Sequence, residues 1–209
     1  MKLYHRFWTG NTPKQGFWAY HVFKDVGSLT KLETNLEKLA FPKDPKDLNG
    51  HDPYEKILGD GWEAFNEFFI RTFGFHRDIG VVDLRVCPPG MIGVDFTAKG
   101  LNNKPATVQS KYKGKSTAWD LELSEGSEMK LERFLSQSQN KFNVDVNDTR
   151  NMIVMTNAKD INYWTSDKLL FNKVRCIGRA KVEFLVKNNP AFWDELRSSI
   201  SYTNPKIVF

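Results

Sequence analysis

The sequence predicts an α/β (α+β) domain in which helices flank a central mixed β-sheet, with an N-terminal extension. Three observations predict it. From about residue 58 to 200 the hydrophobic pattern runs helix, three strands, helix, strand, helix, strand, helices. Two of those strand patterns are joined by KGLNNK, a short turn-forming segment that favours an antiparallel hairpin. NMIVMTNA is a nearly continuous apolar run, as expected of a strand buried on both faces.

The elements follow in order. Residues 1–27 are rich in aromatics, and HRFWTGNTPKQGFWAYHVFKDV suggests short strands around a turn at Asn11–Gly16. These aromatics are expected in a core rather than as base-stacking platforms. A helix follows, with Thr30 and Glu33 at capping-box spacing and Leu29, Leu32, Leu36 and Leu39 on one face. FPKDPKDLNGHDPYE breaks all periodicity and reads as a loop. It marks a boundary between an N-terminal aromatic and helical subdomain (1–54), a candidate for DNA contact, and a core (55–209). GDGWEAFNEFFIRTFGF is helical, with Trp62, Phe65, Phe69 and Phe73 in phase and Gly74 as its stop. IGVVDLRVC is a strand ended by Pro88-Pro89-Gly90, and MIGVDFTA and ATVQSKYK are the hairpin strands. A helix runs from Ser127 to about Phe142. After NMIVMTNA come a helical stretch near 165–172, KVRCIG as a strand, and helices at Ala180–Val186 and Pro190–Ile200, the last capped by Asn189.

Composition excludes some classes. The 209 residues hold no run of about 18 apolar residues, so no membrane span is expected. MKLYHRFWTGN lacks the apolar centre of a signal peptide. The two cysteines, Cys87 and Cys176, lack paired-ligand spacing and are expected to stay reduced in a cytoplasmic setting. The four histidines show no zinc-ligand spacing, and no phosphate-binding G-x-x-x-x-G-K-[ST] loop occurs. A net charge of +5 suits a polyanionic partner. The charge is concentrated: Lys99 to Lys115 holds five lysines and no acid, and Lys173 to Lys187 five basic residues against Glu183. Lys99, Lys104, Lys113, Lys115, Arg175 and Arg179 are therefore candidate phosphate contacts. Gln137, within FLSQSQNKF, is a candidate nucleic-acid contact.

The hairpin strands carry the chemistry. Side chains alternate between strand faces. Ile92, Val94, Phe96 and Ala98 share a face with Ala106, Val108, Ser110 and Tyr112 if the hairpin closes on a core. The opposite face then gathers Asp95 with Gln109 and Lys111, about 5–8 Å apart. A carboxylate and an amide oxygen are hard ligands for Mg²⁺ (or Mn²⁺), which activates a bound water and stabilises charge on a phosphodiester. The lysine can orient or deprotonate that water, or neutralise the transition state. A solvated hairpin face is the plainer alternative.

Asp95 followed by Gln109-Ser110-Lys111 on consecutive strands resembles the core motif of the PD-(D/E)XK nuclease superfamily, in its Asp…Gln-x-Lys form. The flanks G-V-D-F-T-A and V-Q-S-K-Y are similar to Mrr-type restriction nuclease domains and to nuclease domains of phage and mobile-element proteins. GDGWEAF resembles the helix that carries a glutamate in those domains, which makes Glu63 a metal ligand and Glu67 the fallback. NMIVMTNA and KVRCIGRAKVEFLVKNNPAFWDEL resemble the later strands and closing helices. The resemblance covers roughly residues 58–200 and leaves 1–54 unassigned. It implies a restriction-endonuclease-like core and a Mg²⁺-dependent endodeoxyribonuclease, homing or restriction-like. Glu63, Asp95, Gln109 and Lys111 would be catalytic, with the Ser110 backbone carbonyl also on the metal. Gln109 replaces the acid usual in the family, which gives Glu63 more weight. Double-stranded DNA is the implied partner, cut by a homodimer or higher homo-oligomer. The competing reading is a non-catalytic nucleic-acid-binding or interaction protein on a degenerate nuclease fold.

Overall fold

The computed structural model describes residues 1–5, 8, 19–40, 53–88, 91, 93–113, 120–122, 131–158, 160–162 and 172–203. The expected turn at Asn11–Gly16, the loop at 41–52, the helix near 165–172, and Phe7, Phe17, Trp18 and Lys115 lie outside them. The chain forms two compact units, Met1–Phe68 with Leu185–Phe209, and Phe69–Phe184. The boundary expected at residue 54 lies within the first unit. Among the described residues no helix is long and apolar enough to cross a membrane.

In the first unit, residues 19–23 are helical rather than extended. Ala19, Val22, Phe23 and Val26 are all buried, and their spacing of three, four and seven is helical. The aromatic density of this stretch had favoured a strand reading, but the buried set obeys the longer period. Helix α1 (Leu29–Ala40) buries Leu29, Leu32, Leu36 and Ala40, with Leu39 half-buried. Its cap lies two residues earlier than the Thr30/Glu33 pattern suggests: Ser28 Oγ accepts the Lys31 N–H at 3.1 Å. Glu33 is fully buried instead. Trp8 stacks on Phe23 with ring centroids 4.5 Å apart, so these two N-terminal aromatics are core. Tyr4 and Tyr20 stay exposed.

Helix α2 (Pro53–Phe73) begins within the expected loop and is longer than the sequence suggested. Pro53 at its first position loses no helical hydrogen bond. From Ile57 to Ile70 the helix is buried almost all round, with only Gly59 and Glu63 partly exposed. Its Phe65 and Phe68 pack edge-on to Phe192 of the C-terminal helix, at 6.0 and 5.2 Å between centroids.

The second unit is built on a five-stranded mixed sheet. Its strands are β1 (Val81–Val86), β2 (Phe96–Gly100), β3 (Pro105–Lys111), β5 (Met152–Thr156) and β7 (Arg175–Ile177), in the spatial order β1-β2-β3-β5-β7. β1, β2 and β3 pair antiparallel, and β3, β5 and β7 pair parallel. A separate parallel pair joins β4 (Asp120–Glu122) to β6 (Asp160–Asn162). The expected hairpin is present. Gly100 leads into its turn, where an added Cβ would sit 2.2 Å from Asn151 Oδ1 and displace that side chain. Asn103 takes the left-handed conformation, φ 61°, as turns at this position require.

Helix α3 (Leu131–Phe142) covers one face of the sheet. Leu131, Phe134 and Leu135 join Val94, Val144, Met152 and Val154 in one apolar cluster, and Ser138 and Thr107 hydroxyls meet at 2.7 Å. Helices α4 (Arg179–Lys187) and α5 (Phe192–Thr203) follow β7. α5 starts two residues after Pro190, and the Phe192 N–H is bonded to the Asn189 carbonyl at 3.0 Å.

Lys181 on α4 lies 2.7 Å from Asp78 in the turn before β1. That hydrogen bond, helped by the lysine's charge, holds the Asp78 carboxyl below its ordinary value. A depressed folded value gives stability that is present above the unfolded value of 3.8 and lost as pH falls through the folded one. Asp78→Asn should therefore be less stable than wild type at neutral pH, and the two should converge in acid once the folded-state Asp78 carboxyl is protonated. Burial pushes the Cys176 thiol up to about 12. At neutral pH Cys176 should resist iodoacetamide in the native chain and react once urea unfolds it, a difference read by peptide mass mapping.

Candidate functional site

Three of the four expected catalytic residues lie at one end of the central strands in the second unit. β2 begins at Phe96, opposite Val108 on β3, and Asp95 precedes it in a bend. Gly93 makes the bend possible with φ 88°, a region that side chains rarely occupy. The Asp95 N–H donates to the Val108 carbonyl at 3.0 Å, and Asp95 Oδ2 accepts the Ser110 N–H at 2.6 Å. The carboxylate thus takes over an acceptor role at the end of the ladder, between Gln109 and Lys111 in the β3 sequence. Alternation had placed it on the sheet face. The break at Gly93 ends that alternation three residues before the strand starts.

The face shared by Thr107, Gln109 and Lys111 is not the open one the sequence suggested. In the parallel β3–β5 register Thr107 pairs with Met152, Gln109 with Val154 and Lys111 with Thr156. Parallel partners share a face, and Met152 and Val154 pack with α3. Thr107 is fully buried and Gln109 is 5% exposed, whereas Lys111 at the strand end is half-buried. β3 is a central strand covered on both faces, and a polar side chain there says nothing about solvent. The Gln109 amide oxygen is buried with no hydrogen-bond partner among the described residues. Lys111 makes no ion pair with any described residue. Beyond it, Asn157 clamps the chain by accepting the Lys113 N–H at 2.6 Å and donating to its carbonyl at 2.9 Å.

Glu63 belongs to the first unit, where its Oε2 lies 3.0 Å from His5 Nε2. The fallback Glu67 is fully buried, and its two carboxylate oxygens accept the backbone N–H groups of Tyr4 and His5. Glu67 is thus an anchor for the N-terminal segment. The role of His5 escaped sequence reasoning because ligand spacing was sought within one stretch of chain. The available signal was Asp60, Glu63 and Glu67 recurring on one helical face.

The described basic candidates in the second unit differ in their surroundings. Lys99 and Lys104 flank the hairpin turn, whereas Lys113 lies beyond the far end of β3, a strand that spans about 20 Å at strand rise. Lys99 pairs with Asp83 at 3.0 Å, and Lys104 is exposed. Gln137 is half-buried on α3. Arg175 is turned inward: its guanidinium donates to the carbonyls of Ile79 and Arg150, and burial lowers its pKa. Arg179 pairs with Glu183 one turn along α4, at 2.8 Å. Lys113 is half-buried after β3.

Comparison with protein-family models, with curated proteins and with solved structures finds no match to this chain.

Proposed function

We propose that the chain is a metal-dependent DNA endonuclease of the PD-(D/E)XK type, with its centre at Asp95, Gln109 and Lys111. The single observation that carries this reading is the buried amide oxygen of Gln109, which has no hydrogen-bond partner among the described residues. Such an oxygen costs about 1–3 kcal/mol, and a ligand that occupies it explains its retention. It belongs to the residue adjoining Ser110, whose N–H fixes the Asp95 carboxylate. A hard divalent cation fits this donor set, since an ionised carboxylate and an amide oxygen are both oxygen ligands.

Asp95 and Gln109 would hold the ion, together with the Ser110 carbonyl, and Asp95 supplies their only full negative charge. When bound, Mg²⁺ (or Mn²⁺) supplies a water of lowered pKa and charge neutralisation at the phosphodiester. The Ser110 N–H fixes one oxygen of Asp95, so the carboxylate is oriented before substrate arrives. Lys111, on the same face of β3 as Gln109, brings a cation to the strand end, suited to steadying the attacking water or a phosphate oxygen. Lys104 and Lys113 would contact the DNA backbone without reading sequence. A double-strand cut implies a homodimer with one centre per strand.

The test is cleavage of plasmid DNA by the purified protein with Mg²⁺ or Mn²⁺. Asp95→Ala and Lys111→Ala should each lower the rate by about a hundredfold or more while the fold persists. Intact DNA with wild type under several metals and sequences would favour the non-catalytic binding protein. Cleavage that persists in both variants would place the centre elsewhere.

A further inference from the structure

A second set of donors converges in the first unit, and none of them is used in the proposed cleavage centre. Asp60 and Glu63 lie one turn apart on α2, and the His5 imidazole folds against them. One donor atom from each of the three lies within 4.8 Å of the others. His5 Nε2 and Glu63 Oε2 are already 3.0 Å apart. Ligands around one tetrahedral ion, bound at about 2.0–2.2 Å, stand roughly 3.3 Å from one another. Small side-chain rotations bring the three to a common point.

The arrangement is built into the fold. Glu67, one turn beyond Glu63, accepts the Tyr4 N–H at 2.8 and 3.1 Å and the His5 N–H at 2.8 Å. The Trp8 indole donates to the Ala64 carbonyl at 3.2 Å, and the Trp8 N–H to the His5 carbonyl at 2.8 Å. His5 is thus held against α2 from both sides by contacts that do not involve its ring. His5 is 2% exposed and Asp60 4%, so both donors sit in a medium where a cation's charge is weakly screened. The Glu63 side chain is 25% exposed, which leaves a route for the ion and for a water ligand.

We propose that His5, Asp60 and Glu63 bind a divalent transition-metal ion of the Zn²⁺ class. The imidazole decides the class: nitrogen with carboxylate oxygens suits Zn²⁺ and its neighbours, whereas Mg²⁺ takes oxygen ligands. Neutral His5 with two ionised carboxylates contributes two negative charges, which a divalent ion balances. The ion ties the N-terminal segment to α2, and its binding stabilises the folded chain by mass action.

The test uses the full chain carrying Asp95→Ala, so that the proposed cleavage centre cannot supply the ion. After dialysis against a chelator, the protein is titrated with Zn²⁺ by calorimetry, and its metal content is measured. The expected result is one Zn²⁺ per chain, a higher melting temperature with Zn²⁺, and no competition from millimolar Mg²⁺. His5→Ala and Asp60→Asn should each weaken binding by about tenfold or more. Glu63→Gln, at a partly exposed position, gives the same readout if the buried variants do not fold. No Zn²⁺ uptake, or uptake unchanged in the folded variants, overturns the proposal. Because Asp95 is absent throughout, this outcome stands or falls separately from DNA cleavage.

Discussion

Gln109→Met should melt at a higher temperature than wild type and cleave DNA at a strongly reduced rate. The amide oxygen of Gln109 is buried and has no hydrogen-bond partner among the described residues. A buried unsatisfied group of this kind costs about 1–3 kcal/mol. Methionine has a similar length, removes the polar atom and adapts to an irregular site. For a chain of this size each kcal/mol moves the melting temperature by about 2–4 °C, so a rise of several degrees is expected. The same change removes an oxygen ligand from the proposed Mg²⁺ site. Thermal melts and plasmid nicking on one preparation read both effects. Opposite signs for stability and activity are the mark of a residue kept for function at a cost to the fold. A lower melting temperature in the absence of metal would mean that Gln109 is held for packing.

Glu67→Ala should destabilise the protein by about 3–5 kcal/mol, a large share of the 5–15 kcal/mol typical of a folded domain. Glu67 is fully buried and accepts the N–H groups of both Tyr4 and His5. Its removal leaves two backbone donors without their acceptor and opens a void beside α2. Glu67→Gln keeps the volume and one acceptor oxygen, so it should lose less. Urea denaturation measures the difference as a fall in midpoint at constant slope. Limited proteolysis should show the first eight residues cut more readily in Glu67→Ala. A loss within about 0.5 kcal/mol would mean that the N-terminal segment contributes little to the fold.

The sheet was legible from sequence because its signals are local. KGLNNK closes a hairpin between strands of matched alternation, and the MIVMT run is buried on both faces. What the sequence hid depends on partners remote along the chain. Gln109 and Thr107 read as a solvent-facing stripe, yet α3 covers that face through Ser138 and Phe134. No period in β3 records a helix that arrives some thirty residues later. Asp95 lies in a bend ahead of β2 instead of within its alternation, because Gly93, at φ 88°, interrupts the extended chain before it. His5 was passed over because its partners, Asp60 and Glu63, lie more than fifty residues away. Lysines adjacent in sequence, such as Lys104 and Lys113, are separated by the length of a strand.

The first unit is assembled from both ends of the chain, Met1–Phe68 and Leu185–Phe209, while the second is continuous. During synthesis the continuous unit can complete its sheet once β7 has left the ribosome. The first unit has to wait, because Phe192 packs on Phe65 and Phe68 and is made more than a hundred residues after them. Until then the aromatic face of α2 is uncovered, a surface that chaperones bind and that favours aggregation. A ribosome-stalled or truncated product ending before α5 would keep its sheet and leave that face exposed, marking it for degradation.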